Sequence, residues 1–178
     1  MDAPASGRWR TGGAQFRPGK SLTLHLGVLE QSYDTPGKRS AKVMTTYDVA
    51  KILEKSYGVM GMFVQQYEEP IAEYMTESLQ VALEAHLMGH TVDPFGRGTQ
   101  GIERMFREFI STREVERMGF APYTRISGRR PSLMQIPTKA ALRGVNHRLA
   151  RPYARGNPRR PSFRDTGMYM NSFRAWID

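Results

Sequence analysis

The chain contains no cysteine among its 178 residues. Disulfides and thiolate zinc sites are therefore excluded, and the composition is typical of a protein that folds without oxidation. The sequence also lacks any run of about 18 apolar residues, which is the minimum for a membrane-spanning helix. Residues 1–20 hold several basic residues and no apolar run of the kind found in signal peptides. We therefore expect a soluble protein that is not secreted and has no membrane partner.

Acidic residues are missing from one long part of the chain. Residues 125–164 contain eleven basic residues and no Asp or Glu, whereas residues 45–88 contain seven acidic residues and two basic ones. The formal net charge is +9. Such segregation favours an anionic partner such as nucleic acid, or a second subunit placed head to tail, or both.

Length and composition indicate one domain with a terminal arm. The hydrophobic fraction of 39% and the charged fraction of 24% are typical of a globular chain. We expect a flexible arm at 1–20 and a single α+β domain at 21–178. Its parts are a long helical region at 45–119, a basic extended segment at 120–164 and a terminal element at 165–178. The expected fold is a small antiparallel sheet packed on two to three helices. The sheet is built from residues 21–44 and parts of 120–136, and it includes residues 172–177 if the end of the chain forms a strand.

Local patterns place the first elements. Apolar and polar residues alternate from Leu22 to Val28, which predicts a strand with one buried face. Thr45 and Asp48 form a capping-box pattern at the start of the helical region. Apolar residues at 71, 74, 75, 79, 82 and 83 have helical spacing and predict a stripe on one face of the helix. Pro70 predicts a kink or break, because proline lacks the amide hydrogen that a helix interior requires.

Patterns that suggest catalysis or ligand binding fail on their spacing. The sequence GAQFRPGKS at 13–21 resembles a P-loop, but five residues rather than four separate its glycines and it precedes the first strand. His86 and His90 are four apart, but Gly89 is expected to end the helix between them and no third ligand is evident. The glutamates and arginines at 103–117 alternate, and this pattern is typical of a solvated helix face with salt bridges. We expect no enzyme activity, no cofactor and no metal.

The basic extended segment is the first candidate site. Pro152, Pro158 and Pro161 disfavour a helix there. An extended basic segment of this kind can lie along a phosphate backbone or along an acidic neighbour, and the alternative is that its charges are simply solvated. Few base-reading side chains accompany the arginines, so contact with DNA should be independent of sequence. The residues expected to face DNA or another subunit are Arg151, Arg155, Arg159 and Arg160.

The terminal element is the second candidate site. If residues 165–177 form a helix with Asp165 as its N-cap, Tyr169, Phe173 and Trp176 share one face. Aromatic residues on a terminal element are typical interface anchors. Two alternatives stay open: these side chains complete the core of their own domain, or the last residues form a strand.

Several short motifs resemble those of one protein family. Residues 137–149 (PTKAALRGVNHRL) and 160–176 (RPSFRDTGMYMNSFRAW) resemble the carboxyl ends of virion proteins from tailed bacteriophages. LHLGV at 24–28, DVAKILE at 48–54, RPSF at 160–163 and the Thr-Gly pair at 166–167 are similar, in the same order, to motifs of the tail-completion or neck proteins. The long helical stretch at 55–119 departs from that family's pattern.

The resemblance implies a structural role in the virion. It suggests a ring-forming neck or tail-completion component, a head–tail connector, which joins head to tail around the DNA path and contacts the portal or adaptor and tail proteins. Such a protein is assembled in the host cytoplasm and located in the virion. The alternatives are a tail terminator or baseplate protein and, from another class, a stand-alone basic nucleic-acid-binding protein.

Overall fold

The computed structural model describes residues 22–33, 44–118, 120–127, 130–147 and 149–178. The expected arm at 1–20 and the P-loop-like sequence at 13–21 lie outside these residues. The elements in chain order are β1 (Leu24–Val28), α1 (Thr46–Tyr57), α2 (Val59–Leu87), α3 (Gly96–Ser111), α4 (Glu114–Arg117), β2 (Phe120–Ser127), β3 (Arg130–Gln135), α5 (Lys139–Leu142), α6 (Met168–Ser172) and β4 (Phe173–Ile177).

The mixture of helices and antiparallel strands confirms the α+β class at a coarse level. The expected single sheet is wrong, because the described strands form two separate antiparallel pairs, β1 with β4 and β2 with β3. The first pair joins Leu24 to Ile177 and Val28 to Phe173, so the last residues are a strand and not the end of a helix. The second pair is a hairpin whose register shifts between Phe120 and Thr124.

Helix α1 begins and ends as its local sequence requires. The Thr45 hydroxyl accepts a hydrogen bond from the amide of Asp48, and the Asp48 carboxylate accepts one from the amide of Thr45, each at 3.2 Å. The predicted capping box is therefore confirmed. Gly58 ends the helix with φ of 64°, a left-handed conformation that glycine adopts without steric cost. Glu54 then accepts hydrogen bonds from the amides of Met60 and Gly61 and so caps α2.

The kink expected near Pro70 is present. Tyr67 has non-helical φ and ψ inside α2, three residues before the proline. Its hydroxyl donates a hydrogen bond to the carboxylate of Glu114, which ties the kink to α4. Burial, and then this hydrogen bond, raise the pKa of Tyr67 above its ordinary value.

Helices α2 and α3 form an antiparallel pair that packs closely at two glycines. A Cβ at Gly98 would lie 2.8 Å from the sulfur of Met75, and a Cβ at Gly101 would lie 2.6 Å from the ring of Tyr74. The region of α2 after Ser78 therefore lies near the beginning of α3. The end of α3, which leads into α4, lies at the other end of the pair.

The core lies between the helices and the sheet formed by β1 and β4. Four phenylalanine side chains are fully buried within it: Phe63, Phe106, Phe109 and Phe173. The rings of Phe106 and Phe173 are stacked with their centroids 3.9 Å apart. Phe63 meets Phe106 edge to face at 5.2 Å. The terminal strand is therefore part of the core of its own domain.

Candidate nucleic-acid and subunit interface

The basic segment, defined here as residues 139–164, has no Asp or Glu. The expectation of an extended segment over 120–164 is wrong in its second part, because the chain after the strands β2 and β3 folds through α5 and a series of turns. The amide of Arg160 donates to the carbonyl of Ala141 at 3.2 Å, which closes the segment on α5. The Asn157 side chain donates to the carbonyls of Arg151 and Pro152. The prolines of this segment disfavour a regular helix, and the segment folds by turns instead.

Glu116 fixes the basic segment to α4. Its side chain is only 6% exposed and accepts hydrogen bonds from the amide and the hydroxyl of Ser162, each at 2.9 Å. Arg159 pairs with the same carboxylate at 2.5 Å. The interpretation of this glutamate as part of a solvated face is therefore wrong. Spacing within α3 and α4 gave no signal for it, because its partners lie more than forty residues away.

The four arginines of the candidate site fall into two pairs. Arg160 donates to the carbonyls of Val145, Pro161 and Arg164, and burial lowers its pKa, although the charge of Asp165 acts in the opposite direction. Arg159 is paired with Glu116. Both hold the segment together, so the expectation that they face a partner is corrected to an internal role.

Arg151 and Arg155 form the other pair. Both are exposed, and neither guanidinium has a hydrogen-bond or ion-pair partner among the residues that the structure describes. These two side chains can therefore reach an external anion without breaking an internal contact. Their assignment to DNA or to another subunit stays a prediction.

The side chains of Asp165, His147 and Tyr153 form a hydrogen-bonded group at the basic segment. Asp165 accepts hydrogen bonds from the amide and the ring Nδ1 of His147, whose Nε2 lies 3.0 Å from the hydroxyl of Tyr153. Burial raises the pKa of Asp165, but the hydrogen bonds from His147 and the charge of Arg160 lower it on balance. The prediction of Asp165 as a helix N-cap is wrong, since Gly167 occupies that position.

The three aromatic residues of the terminal element do not share a face. Only residues 168–172 are helical, and the strand that follows separates the side chains by alternation. Tyr169 is 3% exposed and Phe173 is fully buried, so the expectation that these two are interface anchors is wrong. Trp176 lies on the other face of β4, is partly exposed and stacks on His25 with centroids 5.4 Å apart. Of the three, only Trp176 is placed to meet a partner.

The acidic surface lies on α2, which contains five glutamates and no Lys or Arg. The predicted apolar stripe lies on this helix but is not covered beyond Ser78, because Leu79 is 44% exposed and Leu83 is 61% exposed. Helix α3 is too short to cover them, since it begins at Gly96 opposite residues 74–78. Sequence periodicity identifies the stripe but not whether a neighbouring element covers it.

A cleft of about 630 Å³ lies between α2 and α3 and is lined by Arg97, Arg104 and Arg107. Its charges are largely used within the fold, since Arg107 pairs with Glu103 at 2.9 Å and Arg104 donates to the hydroxyl of Tyr74. Within the described ranges, no three His, Cys, Asp or Glu residues cluster as metal ligands do. His86 and His90 accordingly form no such group.

Comparison with known proteins gives no relative. No family model, no curated protein and no solved structure matches the chain. Among the helices that the structure describes, none is both long and apolar enough to cross a membrane.

Proposed function

We propose that the protein is a structural virion component of a tailed phage, a ring-forming neck or tail-completion protein around the DNA path. The observation that carries the proposal is the presence of two oppositely charged surfaces on one domain. Helix α2 carries five glutamates without a basic residue, and the basic segment carries no acid. Unlike patches that attract each other form a heterologous contact, and such a contact closes into a ring when its rotation divides the circle.

The placement in the neck is supported by sequence motifs. The motif LHLGV is β1 and RPSF contains the buried Ser162 that binds Glu116. Both motifs, which resemble motifs of the neck proteins, therefore help to hold this domain together. A tail terminator or baseplate protein is the alternative within the virion.

A stand-alone nucleic-acid-binding protein is the second candidate. It is favoured by Arg151 and Arg155, whose guanidinium groups are exposed and unpaired among the described residues. These arginines would contact phosphate groups and not base edges.

Salt dependence and assembly mass distinguish the two functions. A ring protein should give one discrete multimer in native mass spectrometry and bind duplex DNA weakly. A stand-alone binder should remain a monomer or dimer and bind DNA tightly, with an affinity that falls steeply as salt rises. Exchanging Arg151 and Arg155 for glutamate should weaken DNA binding in both cases. Arg143→Glu alters an exposed arginine elsewhere in the basic segment. This variant tests whether DNA binding depends on the position of the arginines or on net charge alone.

A further inference from the structure

The end of α2 presents an apolar stripe to solvent. Leu79, Leu83 and Leu87 are spaced by four residues and lie on one helix face, and their exposures are 44%, 61% and 78%. Met88 and Val92 extend the surface into the following loop with exposures of 77% and 50%. Scattered exposed apolar residues are ordinary, but a contiguous row on one element marks a contact surface. We call this row the α2 stripe.

The border of the α2 stripe restricts its partner. Glu73, Glu77 and Glu84 are exposed on the same part of the helix, which has no Lys or Arg to offset them. Two copies of the stripe facing each other would bring like charges together, which is unfavourable. The surface instead fits a partner that offers apolar side chains among positive charges.

The chain itself carries such a surface on the basic segment. Leu142, Leu149 and Tyr153 are 44%, 39% and 72% exposed. Arg151, which is exposed, lies between Leu149 and Tyr153 in the sequence, and the exposed Arg155 follows two residues after Tyr153. The nearest acid in the sequence, Asp165, is already bound to His147. The basic segment is therefore complementary to the α2 stripe both in its exposed apolar side chains and in its charge.

The two surfaces lie at opposite ends of the domain. The α2 stripe follows the residues that pack against the beginning of α3, whereas the basic segment is bound through Glu116 to α4, which follows the end of α3. Helix α3 has 16 residues, and a helix of that length spans about 24 Å. The point at which the basic segment is attached through Glu116 therefore lies about the length of α3 away from the stripe of the same chain.

We propose that the α2 stripe docks on the basic segment of a second copy of this chain, in a head-to-tail contact. Leu83 and Leu87 pack against Leu142 and Tyr153 of the next copy, while Glu77 and Glu84 face Arg151 and Arg155. This inference rests on the proposed function, because it names the contact from which the ring is built.

The first test removes the apolar part of the contact. The Leu83→Ser/Leu87→Ser variant should remain folded, because both side chains are exposed, and should self-associate at least about tenfold more weakly in sedimentation equilibrium. Ile52→Ser is the matched control, since Ile52 is 52% exposed on α1. Unchanged self-association of the double serine variant would overturn the inference and leave the proposed ring intact.

The second test exchanges the charges. Glu77→Arg/Glu84→Arg and Arg151→Glu/Arg155→Glu should each fail to self-associate, because each variant pairs like charges in its own head-to-tail contact. An equimolar mixture of the two should assemble with the two chains in alternation, because every contact between unlike chains then joins opposite charges. The chain carrying all four changes should also assemble again. Failure of the fourfold variant to assemble, with circular dichroism showing it folded, would contradict the pairing. An assembly that responds as expected but grows as an open filament supports the contact and rejects the ring. A wild-type chain that stays monomeric at all concentrations rejects both and assigns the stripe to a different protein.

Discussion

The carboxylate of Glu116 in α4 accepts hydrogen bonds from both the amide and the hydroxyl of Ser162. Ser162 is fully buried, and its hydroxyl lies 3.2 Å from the amide of Thr138, from which it accepts. One contact therefore joins α4, the start of α5 and the end of the basic segment.

Loss of the Glu116 charge should loosen the basic segment. Glu116→Gln weakens the hydrogen bonds from Ser162 and the pairing with Arg159, and hydrogen bonds to a charged group contribute about 1.5–3 kcal/mol. We expect the free energy of unfolding to fall by about 2 kcal/mol in urea titration. Glu108→Gln, at an exposed position of α3, is the control. Equal stability of the two variants would show that Glu116 does not hold the segment.

Stability should depend on pH through Asp165. Its pKa in the folded chain lies below the ordinary value of 3.8, so the ionised carboxylate stabilises the fold above that pH. The contribution is lost as pH falls through the lower, folded-state pKa. Because the group is partly exposed, we expect less than about 1 kcal/mol.

Asp165→Asn isolates this contribution. The difference in unfolding free energy between wild type and the variant should be present at neutral pH and should shrink below pH 3.8. The measurement is urea unfolding at a series of pH values. A difference that stays constant to the acid limit would assign the effect to packing and not to the charge.

Removing the side chain of Phe173 should lower the free energy of unfolding more than removing that of Trp176. Phe173→Ala deletes a fully buried ring stacked on Phe106 and should reduce the free energy of unfolding by about 3–5 kcal/mol. Trp176→Ala removes a cross-strand contact with His25 on the outer face and should cost roughly 1 kcal/mol. Thermal unfolding of both variants gives the comparison.

The prediction that Trp176 anchors a contact requires a separate readout. Trp176→Ala should stay a cooperatively unfolding chain but assemble less well in native mass spectrometry. If it assembles as wild type does, Trp176 serves only its own domain. If it loses the folded state, the tryptophan belongs to the core.

Gly101→Ala should destabilise the helix pair. Alanine is favoured over glycine in a helix by about 1 kcal/mol. However, the added Cβ would lie 2.6 Å from the ring of Tyr74, whose hydroxyl also accepts a hydrogen bond from Arg104. Moving that ring should cost about 1–3 kcal/mol and outweigh the gain. Gly156→Ala, which meets no atom within 4 Å, is the control and should change thermal stability little.

The sequence by itself determined the local elements whose causes are local. The Thr45 capping box and the kink before Pro70 follow from interactions over a few residues, and the alternation of apolar residues was sufficient to predict the first strand. The segregation of charge was also determined by the sequence, because it depends on the composition of each segment and not on folding.

Only the tertiary structure decided which side chains are covered. The same helical spacing that buries Ile71 leaves Leu83 exposed, because α3 covers one part of α2 and not the other. Arg160 and Arg151 look alike in the sequence, yet the fold holds Arg160 partly buried against backbone carbonyls and leaves Arg151 exposed. Pairing of β4 with β1 turned Phe173 into the core and Trp176 away from it. These outcomes depend on contacts between residues far apart in the chain, which periodicity cannot specify.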